Sequence, residues 1–225
     1  MVEPWKLLEA LDKKMNSLNP NINKLAIKIM EEGPDLSTDT DIANVPKGQP
    51  AVEHKLETDD IVTVWGPPGT GKTYTMAKIA NSYIAQGKSV LIVSHSNVSV
   101  DGVIKQVVKM LGTDKQSILE DGKILRFGYV RDDELSQNPY ATSFNYALSK
   151  CDSYARQLEH LMAKRDELRA KNQMKSKEYD EVEHKIKEIR GEIRKEERKY
   201  VERAQVIGTT ISRATIDPMF EERQF

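Results

Sequence analysis

Two spacings of apolar residues divide this chain. Ile61-Val62-Thr63-Val64-Trp65 is a continuous β-branched run that stops at Gly66, the pattern of a strand buried on both faces of a parallel sheet. Met76, Ile79, Ala80, Tyr83 and Ile84 then recur at helical spacing and predict an amphipathic helix that Gly87 ends. Val90-Leu91-Ile92-Val93 predicts a second buried strand. Val100, Val103, Ile104, Val107, Val108 and Leu111 predict a second helix, stopped by Gly112. Ile124-Leu125-Arg126-Phe127 predicts a third strand, and Val206-Ile207-Gly208-Thr209-Thr210 resumes strand character. Strand and helix alternating in this way predict an α/β fold with βαβ units on a parallel sheet.

A different pattern fills Ser149 to Arg203. This stretch has no proline, Gly191 is its one glycine, and Lys, Arg and Glu dominate it. Cys151, Tyr154, Leu158, Leu161 and Leu168, then Tyr179, Val182, Ile186, Ile189, Ile193 and Tyr200, keep a seven-residue beat. The beat falters around Arg165, Asn172 and Lys175. It predicts an antiparallel helical hairpin, a coiled-coil stalk folding back near residues 172–176, with one long helix as the alternative. At roughly 25 residues per arm the stalk would reach ~40 Å. Its alternating charges read as a solvated helical face. Upstream, Trp5, Leu7, Leu8, Leu11 and Met15 predict a helix, and Leu25, Ile27, Ile29 and Met30 form a further apolar cluster. A turn-rich connector, Gly33 to Pro50, follows. Residues 1–45 are therefore expected to be a helical extension packing on the main domain. Residues 46–148 form the first part of that domain, 149–203 the stalk, and 204–225 the return to the sheet.

Composition narrows the classes. Lys and Arg number 34 against 35 Asp and Glu, so no global basic field draws in nucleic acid and any such binding must be local. Cys151 is the single cysteine, which excludes an internal disulfide and a cysteine-rich zinc site and suits a reducing compartment. The N-terminus has no signal-peptide pattern and no apolar run is long enough to span a bilayer, so a cytoplasmic protein without a membrane partner is expected.

The chemistry concentrates between the first predicted strand and helix. Gly66-Pro67-Pro68-Gly69-Thr70-Gly71-Lys72-Thr73 matches the phosphate-binding loop, in which consecutive backbone N–H groups wrap phosphates and glycines stand where side chains would collide. Lys72 would meet the β/γ-phosphates and the Thr73 hydroxyl would ligate Mg²⁺. ATP and Mg²⁺ are thus the expected ligands. After the second strand comes Ser94-His95-Ser96-Asn97-Val98-Ser99-Val100-Asp101. Loops at the carboxyl ends of parallel strands form the ligand face, and small hydroxyl and amide side chains there suit phosphate and sugar. A plainer reading has Ser99 capping the helix and Asn97 making a turn. His95 has no identifiable acid partner and reads as a spacer.

Together these two segments resemble superfamily 1 helicases of the nonsense-mediated-decay type. In that family the second strand ends in a segment that contacts single-stranded nucleic acid; Ser96, Asn97, Val100 and Asp101 match it and Ser99 replaces an alanine. Leu125-Arg126-Phe127-Gly128 resembles the strand before the family's 1B stalk insertion. Val206 to Thr210, with Asp217-Pro218, resembles the segment whose threonines touch the nucleic-acid backbone. The resemblance implies a RecA-like P-loop domain with an inserted stalk, ATP-driven movement on single-stranded DNA or RNA, and strand contacts from Ser96, Asn97, Thr209 and Thr210. Gln49 would be the counterpart of the adenine-reading glutamine, at a spacing one residue short. No apolar strand ending in Asp-Glu follows the loop, and neither the second RecA-like domain nor its arginine finger is present. The resemblance therefore implies that these residues alone hydrolyse ATP only near background. An AAA+ ATPase, which shares the loop sequence, and an SMC-like structural ATPase with a coiled coil both remain open.

Overall fold

In a computed structural model, the residues described are 4–17, 61–112, 115–223 and 225, with single positions at 19, 23, 24, 27, 52, 55 and 56. Gln49, the connector 33–50, and Leu25, Ile29 and Met30 lie outside them. Two compact units divide at Ile79/Ala80.

The first unit holds α1 (Pro4–Asn16), opened by a proline at its first position and closed by Lys13 and Lys14. On this helix Leu8 is 66% exposed and Met15 54%. The expected strand at Ile61–Trp65 does not form among the described residues: the segment joins no ladder there, Trp65 is 88% exposed and Val64 44%. A β-branched run has the capacity for a strand but becomes one only when a neighbour pairs with it. α2 (Lys72–Ala85) follows the glycine loop and ends at Gly87, whose φ of 72° only glycine takes without strain. Its buried positions are Thr75, Ala77 and Ala80, whereas Met76, expected in the stripe, is 52% exposed.

In the second unit, β1 (Val90–Ser94), β2 (Ile124–Arg126) and β3 (Val206–Thr210) make a parallel sheet in the order β1-β3-β2. The chain's last strand is thus the middle one, with Val93 opposite Thr209, Ser94 opposite Thr210 and Arg126 opposite Gly208. β3 is buried from Val206 through Thr209, as its continuous apolar run requires. β1 was expected to be equally buried, yet Val93 is 42% exposed because, among the described residues, β1 has a neighbour on one side only.

α3 (Asn97–Met110) lays Val100, Val103, Ile104, Val107 and Val108 on the sheet, the i, i+3, i+4, i+7 stripe of a helix half in a core. Gly208 permits the approach: a Cβ there would lie 2.5 Å from Ile104 Cγ1 and 3.0 Å from Val100 Cγ1. The short helices α4 (Lys115–Glu120), α5 (Asp133–Gln137) and α6 (Ser143–Ser149) lead to α7 (Asp152–Ala170) and α8 (Lys177–Arg203). Six residues, among them Asn172 at φ 57°, join α7 to α8, and the Ser176 hydroxyl caps α8 by accepting from Tyr179 N at 3.1 Å. Leu158 and Leu168 of α7 pack with Val182, Ile186 and Ile193 of α8, while Val201 and Ala204 meet Leu125, Phe127 and Ile207. α9 (Ile211–Ile216) and α10 (Met219–Glu222) complete the chain.

Where α8 nears the sheet, Glu197 is buried. The Ser143 hydroxyl lies 2.5 Å from Glu197 Oε1 and 3.2 Å from the Arg126 carbonyl oxygen, but it carries one proton and cannot serve both. With Glu197 protonated, its own O–H serves Ser143, and Ser143 donates to Arg126 O. Burial pushes this carboxyl above its ordinary range, against the Ser143 hydrogen bond and the Arg213 and Arg194 cations, which lower it, while Asp217 adds to the rise. A raised carboxyl contributes stability below the ordinary glutamate range, and that contribution is lost as pH climbs through the raised value. Urea unfolding across that window should show a fall in stability that Glu197→Gln removes; an identical pH profile for the two proteins would contradict the assignment.

Candidate nucleotide loop and strand-end face

The loop before α2 has the backbone a phosphate cradle needs. Gly69 at φ 83° and Gly71 at φ 85° occupy the left-handed region, which turns successive N–H groups the same way. Gly66 is a glycine for a different reason: a Cβ there would come within 2.6 Å of Thr70 Oγ1. Thr70 closes the turn, its Oγ1 donating to Pro67 O at 2.9 Å. Pro67 and Pro68 are exposed and stiffen the entry. Lys72 is the first residue of α2, and its ammonium donates to Gly66 O and to Pro67 O, the latter at 2.8 Å. The lysine therefore reaches back over the loop. Thr73 stands exposed in the first helical turn, while Thr75 Oγ1 donates to Gly71 O at 3.1 Å and ties the loop to the helix. A cavity of ≈ 430 Å³ borders the loop, lined among others by Val62, Trp65, Gly66, Thr70 and Lys72. An N-terminal helix dipole, glycines fixed in place and a lysine over the loop together fit a polyphosphate with its Mg²⁺.

In the second unit, the strand order brings three chain segments to the carboxyl edge of the sheet. β1 runs into His95, Ser96 and Asn97, β3 ends in Thr209 and Thr210, and β2 is followed by Phe127, Gly128 and Tyr129. Ser96 occupies the N-cap position of α3 with no side-chain cap, so Ser99, exposed within the first turn, is not the cap. Ser96 N donates to Ser94 Oγ at 3.4 Å. Thr210 does cap: its Oγ1 accepts from Arg213 N at 3.4 Å. The Thr209 hydroxyl is buried without a hydrogen-bond partner among the described residues. Asp217 is buried too, paired with Arg198 at 3.6 Å and Arg213 at 3.4 Å, so its carboxylate is committed to the fold.

Arg126 organises this edge. Its guanidinium is fully buried, and its five N–H donors find five acceptors. Nε donates to Asp101 Oδ1 at 2.6 Å, Nη1 to Phe127 O and Gly208 O, and Nη2 to Asn97 Oδ1 at 2.8 Å and Tyr129 O at 2.7 Å. Asp101, also buried, uses its second oxygen to accept from Arg131 N at 2.7 Å and Asp132 N at 3.2 Å. Asp132 in turn caps α5; the Leu135 N–H and the Lys105 ammonium hold its carboxyl below the ordinary range. Arg126 was not singled out in the sequence. A cation inside an otherwise apolar strand, with an aspartate on the preceding helix, was the available signal, since a buried charge demands a partner.

Among the described residues no helix is long and apolar enough to cross a membrane. A family model described as an AAA domain matches residues 47–225. The DNA-binding protein SMUBP-2 of Rattus norvegicus is 36% identical over 62 residues, which cover 28% of this chain and 6% of that protein. The DNA polymerase alpha-associated DNA helicase A of Schizosaccharomyces pombe is 32% identical over 57 residues, 25% of this chain and 9% of that protein. The DNA replication ATP-dependent helicase/nuclease DNA2 of Saccharomyces cerevisiae is 33% identical over 54 residues, 24% of this chain and 4% of that protein. The chain thus spans less than a tenth of the length of these curated relatives. No solved structure matches it.

Removing Asp101 would leave the Arg126 cation buried without its counter-ion. Asp101→Ala should cost about 3–5 kcal/mol in chemical denaturation, the range for breaking a buried pair. Asp101→Leu combined with Arg126→Met should recover only part of that loss, since it removes the buried charge but leaves the Arg131 and Asp132 N–H groups and the carbonyls that faced the guanidinium without partners. A single mutant as stable as the parent would show that the pair does not hold the edge.

Proposed function

The chain belongs to the AAA-domain family whose model it matches over residues 47–225, and from that premise we propose that it is the nucleotide-binding RecA-like portion of a superfamily 1 helicase that works on single-stranded DNA or RNA. One observation carries the reading: a glycine-built phosphate loop occurs in the same chain as a strand-end edge on which Ser96, Asn97, Thr209 and Thr210 stand together. The printed names of the matched relatives, two of them helicases and one a DNA-binding protein, support it.

In this reading the backbone N–H groups of residues 66–71 wrap the polyphosphate of ATP, and Lys72 leaves its carbonyl partners to neutralise the terminal phosphates. Thr73 would offer its hydroxyl to Mg²⁺, which when bound would help neutralise the phosphate charge. Gln49 is assigned to the adenine. Ser96, Asn97 and the two threonines hold a strand's sugar-phosphate backbone through sequence-independent contacts. ATP-driven translocation, with similarity to the nonsense-mediated-decay type, is proposed as the activity of the whole protein. α7 and α8 are read as an inserted antiparallel stalk. Lys164 with Glu178 at 2.7 Å, and Arg169 with Tyr179 Oη at 2.9 Å, support that reading by joining the end of one helix to the start of the next.

Calorimetry with ATP and Mg²⁺ should show Lys72→Ala binding at least about tenfold more weakly than the parent, since charge-assisted bonds to phosphate are the stronger ones. Equal affinity would remove the nucleotide assignment. Anisotropy with a single-stranded oligonucleotide should show weak binding that falls steeply with salt. Asn97→Ala with Thr210→Ala should weaken it further; undiminished binding by that double mutant, at unchanged folding, would remove the strand assignment.

A further inference from the structure

Among the described residues of the second unit, no large apolar side chain is more exposed than Tyr129, at 71%. A single exposed ring on a protein surface needs no explanation by itself. What distinguishes this one is how firmly its backbone is held and where. The Tyr129 carbonyl accepts from Arg126 Nη2 at 2.7 Å, and the same nitrogen donates to Asn97 Oδ1 at 2.8 Å. The ring's own peptide and the Asn97 side chain are therefore no further apart than two hydrogen bonds to one atom.

The flanking residues are fixed as well. Gly128 sits at φ 104°, a conformation closed to other residues, and a Cβ on it would lie 3.6 Å from Arg126 Nη1 and 4.0 Å from Thr209 Oγ1. The chain thus passes over the Thr209 hydroxyl, which has no partner among the described residues, immediately before Tyr129. Beyond it, Arg131 N and Asp132 N are both held by Asp101 Oδ2. A segment anchored on both sides by one buried ion pair spends this rigidity on presenting an aromatic face to solvent, beside the side chains assigned to a nucleic-acid backbone. A backbone already held in place spares part of the conformational entropy that binding would otherwise cost. Flat apolar rings next to phosphate-holding groups are what unpaired bases stack on.

We propose that Tyr129 is a nucleobase-stacking platform, which receives a base of the strand whose backbone Asn97 and the β3 threonines hold. This rests on the single-strand reading given above. The phosphate contacts would place the strand, and the ring would add an affinity term that depends on bases and not on charge.

The test uses the full chain and fluorescein-labelled oligothymidine or oligouridine, read by anisotropy over a salt series, with an abasic strand of equal length in parallel. Tyr129→Ala should bind the base-bearing strand roughly tenfold more weakly, within the range measured for single aromatic-to-alanine changes at stacked bases. Its salt slope should be unchanged, because no phosphate contact is removed. Tyr129→Trp should keep the parent's affinity. On the abasic strand, parent and Tyr129→Ala should bind alike. Equal binding of the base-bearing strand by parent and alanine variant would overturn the proposal, as would an equal loss on both strands. If the unaltered chain binds neither strand, the single-strand reading fails first and takes this inference with it.

Discussion

A buried guanidinium at the end of β2 constrains the whole carboxyl edge of the sheet. Taking an arginine cation out of water costs several kcal/mol, and only a close counter-ion and a full set of acceptors offset it. Asp101 supplies the counter-ion from α3, and the remaining donors reach into β3 through Gly208 O, into the β1–α3 turn through Asn97, and along the segment after β2 through Phe127 O and Tyr129 O. No strand end can shift without leaving a donor of Arg126 unmatched. Gly208 completes the arrangement by letting α3 approach β3 closely enough for Asp101 to reach the arginine. The carbonyl of Arg126 faces Ser143, which bonds Glu197 of α8, so the long helix is joined to the same residue from the other side.

Much of this fold could be read from spacing alone. The three paired strands, the helix at 97–110 and its buried stripe follow from runs and periods that admit few alternatives, and the glycines of the phosphate loop stand where φ or space requires them. What spacing cannot encode is the neighbour. Ile61–Trp65 has the composition of a central strand but pairs with nothing among the described residues, and Val93 has the composition of a core residue on a strand with one open side. Met76 keeps helical period with Ile79 and Tyr83 yet faces solvent, because the side a helix buries is chosen by what lies against it. Arg126 was hidden for a related reason: its meaning depends on Asp101, twenty-five residues earlier, and a local pattern shows the charge without its partner.

The candidate site was legible in the same uneven way. Ser96, Asn97, Thr209 and Thr210 come from distant parts of the chain and share one edge, since a parallel sheet delivers every strand end to the same side. Thr209, however, is buried and Thr210 caps a helix, so both threonines have local structural roles beside the one assigned to them. The tyrosine carried no motif. Its placement emerges only once the arginine's hydrogen bonds are traced.

The central claim is that this arginine-braced edge, and not the charged surface of α7 and α8, meets the nucleic acid. Photocrosslinking of the full chain to a 4-thiouridine oligonucleotide, followed by mass-spectrometric mapping of the modified peptides, tests it directly. The account predicts crosslinks in residues 94–101 and 127–131. Crosslinks confined to residues 152–203 would contradict it.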